Sequence, residues 1–371
     1  MARVQRWSDR ELTVSFLERQ LLLERMPMPA ARAVQRLGAL QAQYSPSPYV
    51  ALHARVAGFR VEDLESALRR RTVVKSTLMR GTLHLVSGAD YAAFASAWAR
   101  QWFPAVSNRH PDLKPREPEI AAALAKFTSE PRTTDEIRAA IDDLSGLTIG
   151  GSDRLDYARA LVPLVHVPPS GFWRFHGKAS LRRWPEPPVP EPVATALLVR
   201  RYLRAFGPAT RKDIAAFTYL PYKVLDPALA LLEPLRRVTD EQGRDLLDLP
   251  GVPRVREDVE PPVRFLARWD AALISHADRT RILPSGFHEH IVQSVNGQVL
   301  PAYLVDGRVA GLWTEEQVDG AAVLRLHPLG SGAPARFPSD LEPEGLRLLE
   351  LLAPDATDRR VEVSPGVPAD G

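Results

Sequence analysis

Thr72-Val73-Val74-Lys75-Ser76-Thr77-Leu78-Met79-Arg80-Gly81-Thr82-Leu83-His84-Leu85-Val86 sets the fold expectation for this chain. Two runs rich in β-branched and apolar residues flank a glycine, which reads as a β-hairpin. Three segments with helical apolar spacing precede it, at about 8–24, 30–40 and 61–71. Helices followed by a basic hairpin predict a winged helix-turn-helix.

A similar order of elements recurs. After an aromatic-rich helix at 88–103 and a polar link near 107–118, Thr133-Thr134-Asp135-Glu136-Ile137 offers a capping hydroxyl and early acids ahead of apolar residues, a helix start. A helix at 152–163 follows, then Val165-His166-Val167-Pro168 and Ser170-Gly171-Phe172-Trp173-Arg174-Phe175 as a second wing. The run Pro185–Pro192 is a stiff linker. A third unit has helices at 193–206, 212–217 (capped by Thr210) and 222–235, then a hairpin from 235–238 and 245–249.

The remainder reads as strands at 263–266, 291–295, 298–305, 308–313 and 322–326. Asn296-Gly297 and Asp306-Gly307 supply tight hairpin turns. A helix at 341–352 precedes a frayed tail. The expected class is α+β: winged units over 1–105, 106–190 and 191–255, an antiparallel β-meander over 256–355 and a flexible tail over 356–371.

Composition bounds the function. The 371 residues suffice for several domains, and 45% hydrophobic with 25% charged is an ordinary globular balance. No apolar run approaches the roughly 18–20 residues of a membrane span, and Met1–Trp7 lacks the core of a signal peptide. A cytoplasmic protein is expected. The absence of cysteine excludes disulfides, thiolate nucleophiles and Cys-ligated zinc. The net charge is only +3, but just six of the 48 basic residues are lysine. Arginine suits bidentate contacts to phosphate and base edges, and a GC-rich coding bias yields the same preference. Local clustering says more: Arg69, Arg70, Arg71, Lys75 and Arg80 have no acid among them.

Other chemistries find little support. Neither common phosphate-cradling glycine loop is present, nor a nucleophile elbow. His276, His288 and His290 lack a carboxylate at ligand spacing, so no metal or cofactor is expected. The six lysines sit mostly in charged or loop contexts, unlike the desolvated amine that Schiff-base chemistry needs.

Leu40-Gln41-Ala42-Gln43 lies where a helical pattern stops. On extended backbone, alternate side chains project to one side, so Gln41 and Gln43 would offer two neutral amides to one point, with Ala42 leaving room between them. The ordinary alternative is a solvated helix end.

Leu37–Gln43, Met79–Val86, Phe206-Gly207-Pro208-Ala209-Thr210 and Leu304–Trp313 together resemble the helix-turn-helix 42 superfamily, and within it the AlkZ-like DNA glycosylases. The resemblance runs over roughly 7–330. It implies tandem winged helices around a concave, basic DNA-binding surface, a hairpin that probes DNA, and a Gln-x-Gln catalytic motif at Gln41 and Gln43. Relatives with aspartate at the second position act more broadly on alkylated bases. Glutamine at both implies the branch that unhooks interstrand crosslinks at N7-alkylated guanine, in self-resistance to a DNA-alkylating natural product such as azinomycin. No credible Schiff-base lysine implies a monofunctional enzyme that leaves an abasic site.

DNA contacts are expected from Arg69, Lys75, Arg80, His84, Arg279, Arg281, Gln293 and Asn296, with Gln293–Gln298 as the probing hairpin. Arg69 also reads as a solvated helix end, His84 as a core residue, and 275–281 as a plain turn. The expected partner is double-stranded DNA carrying N7-alkylguanine adducts or crosslinks, bound by a monomer at the nucleoid. Two other readings remain open: a non-catalytic winged-helix regulator, and a resistance protein that sequesters a toxin in a pocket lined by the aromatics of 91–103.

Overall fold

Each of the three expected units contributes a three-stranded sheet of short strands. The computed structural model of the chain describes residues 5–146, 153–252, 255, 257–293, 297–330 and 338–364, and of residues 100 and 101 the backbone only. In the first sheet the spatial order is Leu40–Gln41, Leu83–Ser87, Val73–Thr77, all antiparallel. The second runs Arg132–Thr133, Ser180–Arg183, Leu164–His166. In the third, Gln5–Arg6 pairs in parallel with Arg236–Thr239, which pairs antiparallel with Asp245–Asp248. The architecture is mixed α+β.

Local signals set the helix starts. Thr133 and Thr210 cap Thr134–Ser145 and Arg211–Thr218, each in a reciprocal box closed by Glu136 or Asp213. The last helix spans Leu341–Leu352, as its apolar spacing predicts.

Packing then joins the units. The helix Glu191–Phe206 lies against Gly88–Arg109, Asp9–Arg19 and Arg211–Thr218, and one apolar cluster links Phe16, Phe94, Tyr202, Phe206, Phe217 and Leu304. Two buried arginines act as staples. Arg55 makes a bidentate pair with Asp270 at 2.9 and 2.7 Å and also donates to the carbonyls of Gln20 and Ala51. Arg19 grips Asp248 at 2.8 and 2.9 Å, tying the first helix to the third sheet. Each carboxylate takes a further backbone N–H, from Leu249 on Asp248 and from Ala272 on Asp270, which offsets the cost of burying the charges.

Several expectations need correction. The strand that pairs back on Leu164–His166 is Ser180–Arg183 and not 170–175. Phe172 and Trp173 are drawn instead onto the apolar cluster of the first unit, where Tyr49 Oη donates to the Gly171 carbonyl at 2.9 Å. The C-terminal sheet is not wholly antiparallel, nor does the tail begin at 356. Arg359–Val363 pairs in parallel with Ala321–Pro328 at the end of a five-stranded sheet. Val361 sits over Gly345, where a Cβ would lie 2.7 Å from its methyl, so the missing side chain makes room for the strand. The first unit does not close over 1–105 either: Gln5–Arg6 belongs to the third sheet and the helix Gly88–Arg109 crosses the expected boundary.

Candidate active site

Gln41 ends its short strand and is buried, opposite His84 in the register. His84 in turn faces Ser76 across the next pair. Cross-strand partners share a face, so Gln41, His84 and Ser76 form one row. The row beside it, Leu40, Leu85 and Lys75, points the other way.

Gln43 lies just beyond the strand and is exposed. Its Oε1 accepts from the Leu83 backbone N–H at 2.9 Å, next to the bond from Ala42 N–H to the Leu83 carbonyl. Gln41 Oε1 accepts from Arg80 Nη2 at 3.2 Å. Both partners can only donate, so each amide must turn its oxygen inward and its NH2 outward. The two outward NH2 groups have no partner among the described residues.

Arg80 makes this possible from an unusual position. It occupies the first central position of the hairpin turn with φ 58° and ψ 15°, and Gly81 follows at φ 70°. Both residues are left-handed, as a type I′ turn requires. For a non-glycine residue this costs about 1 kcal/mol. Gly81 is needed twice over, because a Cβ there would approach the Trp102 ring at 3.2 Å. The Arg80 side chain donates to the Phe217 carbonyl at 2.9 Å and lies over the Phe217 ring at 5.0 Å. Burial, with Arg279 close by, lowers its pKa to about 10, so it stays cationic at neutral pH. It thus bridges the first hairpin to the helix Arg211–Thr218.

His84 is fully buried, and burial followed by Arg80 lowers its pKa to about 3. Its Nδ1 lies 3.0 Å from the Thr82 carbonyl. A carbonyl only accepts, so the neutral ring carries its proton on Nδ1.

The structure therefore gathers Gln41, Gln43, Arg80, His84 and Arg279. Others lie elsewhere. Lys75 is buried on the opposite face of the sheet, against Gly171, with its pKa lowered by burial to about 8. Its desolvation runs against the sequence expectation for the lysines, since its neighbours in the chain gave no sign of it. Arg69 pairs with Glu65 at 2.9 Å and covers the Phe172 ring. Arg281 lies near Asp213, with its pKa lowered chiefly by burial. In the loop it shares with Arg279, His276 is buried and hydrogen-bonds through both ring nitrogens, to Ser275 Oγ and the Phe206 carbonyl. Gln293 pairs with Gln298 in the hairpin expected to probe DNA, whose Asn296 lies outside the described residues. Sequence reasoning missed Phe217, whose carbonyl and ring anchor Arg80; no local pattern marks a residue that acts through its backbone oxygen. Among the described residues no helix is long and apolar enough to cross a membrane.

The chain as a whole has relatives among known proteins. It belongs to the family described as AlkZ-like DNA glycosylases, whose profile matches residues 34–351, and so to a family of enzymes. The chain is 24% identical over 345 residues to an interstrand DNA cross-link repair glycosylase of Streptomyces sahachiroi, covering 86% of this chain and 91% of that protein. Its fold is similar to that of the solved Streptomyces sahachiroi DNA glycosylase AlkZ, with a TM-score of 0.78 at 21% identity over 97% of this chain and all of the other.

Proposed function

We propose that this protein is a monofunctional DNA glycosylase that hydrolyses the N-glycosidic bond of N7-alkylated guanine and unhooks DNA interstrand crosslinks. The setting would be self-resistance to a DNA-alkylating natural product such as azinomycin. The observation that carries the reading is the fixed pair of amides, Gln41 held by Arg80 and Gln43 by the Leu83 N–H. The relative named for crosslink repair supports the substrate class.

The chemistry suits neutral groups. Alkylation at N7 makes the guanine cationic, so it leaves readily and charge develops on the sugar. Water oxygen attacks C1′, the C1′–N9 bond breaks, and its electron pair neutralises the base. The water proton passes to solvent. An amide oxygen has two acceptor sites. Gln43 spends one on Leu83, and the other accepts from the attacking water, aiming the water's lone pair at C1′. Gln41, braced by Arg80, turns its NH2 to the sugar-phosphate beside the reacting carbon. Positioning and preorganised dipoles supply the rate.

Gln43 and Tyr44 are exposed, in keeping with an open site for a base tethered to both strands, where full flipping into a deep pocket is hindered. Lys75 faces away from Gln41, which supports hydrolysis without Schiff-base strand cleavage. We read the three small sheets with their helices as winged-helix units around a concave surface, acting as a cytoplasmic monomer on duplex DNA.

The test is a duplex with one N7-guanine interstrand crosslink, followed on denaturing gels. The reading predicts separation of the strands and abasic sites cleaved only after alkali. Tight binding without strand separation would favour a regulator instead.

A further inference from the structure

Away from the glutamines, a cavity of about 600 Å³ opens between the helix Gly88–Arg109, the helices Glu117–Phe127 and Asp153–Leu161, and the linker after Trp184. Its wall is mostly apolar, and Tyr91, Trp98, Phe103 and Trp184 supply its aromatic surface. Pockets for drug-sized ligands have volumes of roughly 300–1,000 Å³ and a few placed polar groups.

The Ser and Tyr hydroxyls of this wall are bonded within the protein, whereas the buried Glu117 Oε1 meets no hydrogen-bond partner among the described residues. Ser76 Oγ and Tyr91 Oη both donate to the Leu164 carbonyl, at 2.7 and 3.0 Å. Ser96 Oγ donates to the Ala92 carbonyl and accepts from Val189 N–H. Arg159 is paired with Asp156 at 3.4 Å. The indoles differ. Trp98 and Trp184 are each 7% exposed, and neither indole N–H meets an acceptor among the described residues. Their rings are held by packing alone: Trp98 stacks on Trp102 and Trp184 meets Tyr91 edge-on. A ring tilt that offers either N–H to a ligand therefore breaks no protein hydrogen bond, and it relieves an unpaired donor.

We propose that this cavity is a binding site for an uncharged, largely aromatic small molecule of drug size with acceptor atoms for the two indole N–H groups. The site is separate from the glutamine pair and does not depend on the glycosylase reading. The mostly apolar wall, with three acids (Glu117, Glu186 and Glu191) against Lys114 and Arg159, disfavours a nucleotide or other anion there.

Prodan, a neutral naphthalene with one ketone acceptor, is a direct probe, since its emission moves to the blue in apolar surroundings. The proposal predicts saturable one-site binding with blue-shifted emission, and affinity at least tenfold weaker in Ala121→Trp and Ala160→Trp. Both alanines line the cavity and are only half-buried, so a larger side chain enters from the mouth. Energy transfer from tryptophan to bound Prodan is a second readout that needs no filling variant, and it should drop in Trp98→Phe and Trp184→Phe. Unsaturable binding, or affinity and transfer unchanged across these variants, overturns the proposal.

Discussion

Arg80 Nη2 stands 3.2 Å from Gln41 Oε1, and the same guanidinium donates to the Phe217 carbonyl at 2.9 Å. One cation in a left-handed turn thus ties the Gln41 amide to a helix more than a hundred residues away. On the proposed mechanism Arg80 is a positioning residue. Arg80→Ala should lower kcat for base release by about 10- to 100-fold, given the sensitivity of catalysis to misplaced groups, while duplex affinity changes by less than about threefold. Arg80→Lys should fail to restore kcat, because an ammonium cannot span both acceptors in the planar geometry. An affinity loss matching the rate loss would instead make Arg80 a phosphate contact.

Lys75 gives the opposite expectation for a basic residue. Burial lowers its pKa to about 8 in the folded chain, against 10.5 unfolded. Between those values the unfolded chain binds more protons, so this group's contribution to stability rises with pH from about 8 to 10.5. Lys75→Met should therefore raise stability at pH 7 by on the order of 1–3 kcal/mol, measured by denaturant unfolding. The salt dependence of DNA binding should keep its slope; a slope reduced by about one would place Lys75 on a phosphate.

The Arg55–Asp270 pair, each side chain 1% exposed, predicts a large stability effect. Asp270→Ala leaves a buried guanidinium without its partner and should cost about 3–5 kcal/mol. Arg55→Met combined with Asp270→Leu should recover most of that loss, as measured by urea unfolding of all three variants. A double variant no more stable than Asp270→Ala would contradict the reading.

Acid should weaken the fold through its buried histidines. Burial lowers the pKa of His53 to about 4 and that of His84 to about 3, from 6.5 in each case. The unfolded chain therefore binds the extra protons as pH falls below 6.5. Stability is fully present above that value and is lost toward the folded values, by about 1.4 kcal/mol per pH unit per group. Thermal unfolding between pH 7 and 4.5 should show this decline, and His84→Gln should flatten it. A flat profile in the wild type would mean that neither ring is buried as described.

How much of this was readable in the sequence follows from the range of each signal. Capping boxes at Thr133 and Thr210, the Arg80-Gly81 turn and the helix Leu341–Leu352 depend on neighbours within a few residues. At Leu40–Gln41 the sequence leaves a strand and a solvated helix end both open, and the structure shows the strand, with Gln41 opposite His84. The missing parts depend on distant packing. Phe172 and Trp173 looked like a wing strand because aromatic and β-sheet patterns coincide, yet Tyr49 and Leu68 pull them elsewhere. Gln5–Arg6 and Arg359–Val363 are strands only because a distant partner offers an open edge. The burial of Lys75 comes from Gly171, nearly a hundred residues on.

The central claim is tested most directly by single-turnover base release from a duplex carrying one N7-guanine interstrand crosslink, comparing wild type with the Gln41→Ala, Gln43→Ala double variant and measuring duplex binding for both. The account predicts release of the guanine by wild type, a loss of at least 100-fold in the variant, and binding within a few-fold of wild type. Release undiminished in the variant, or absent from both proteins while binding persists, would contradict it.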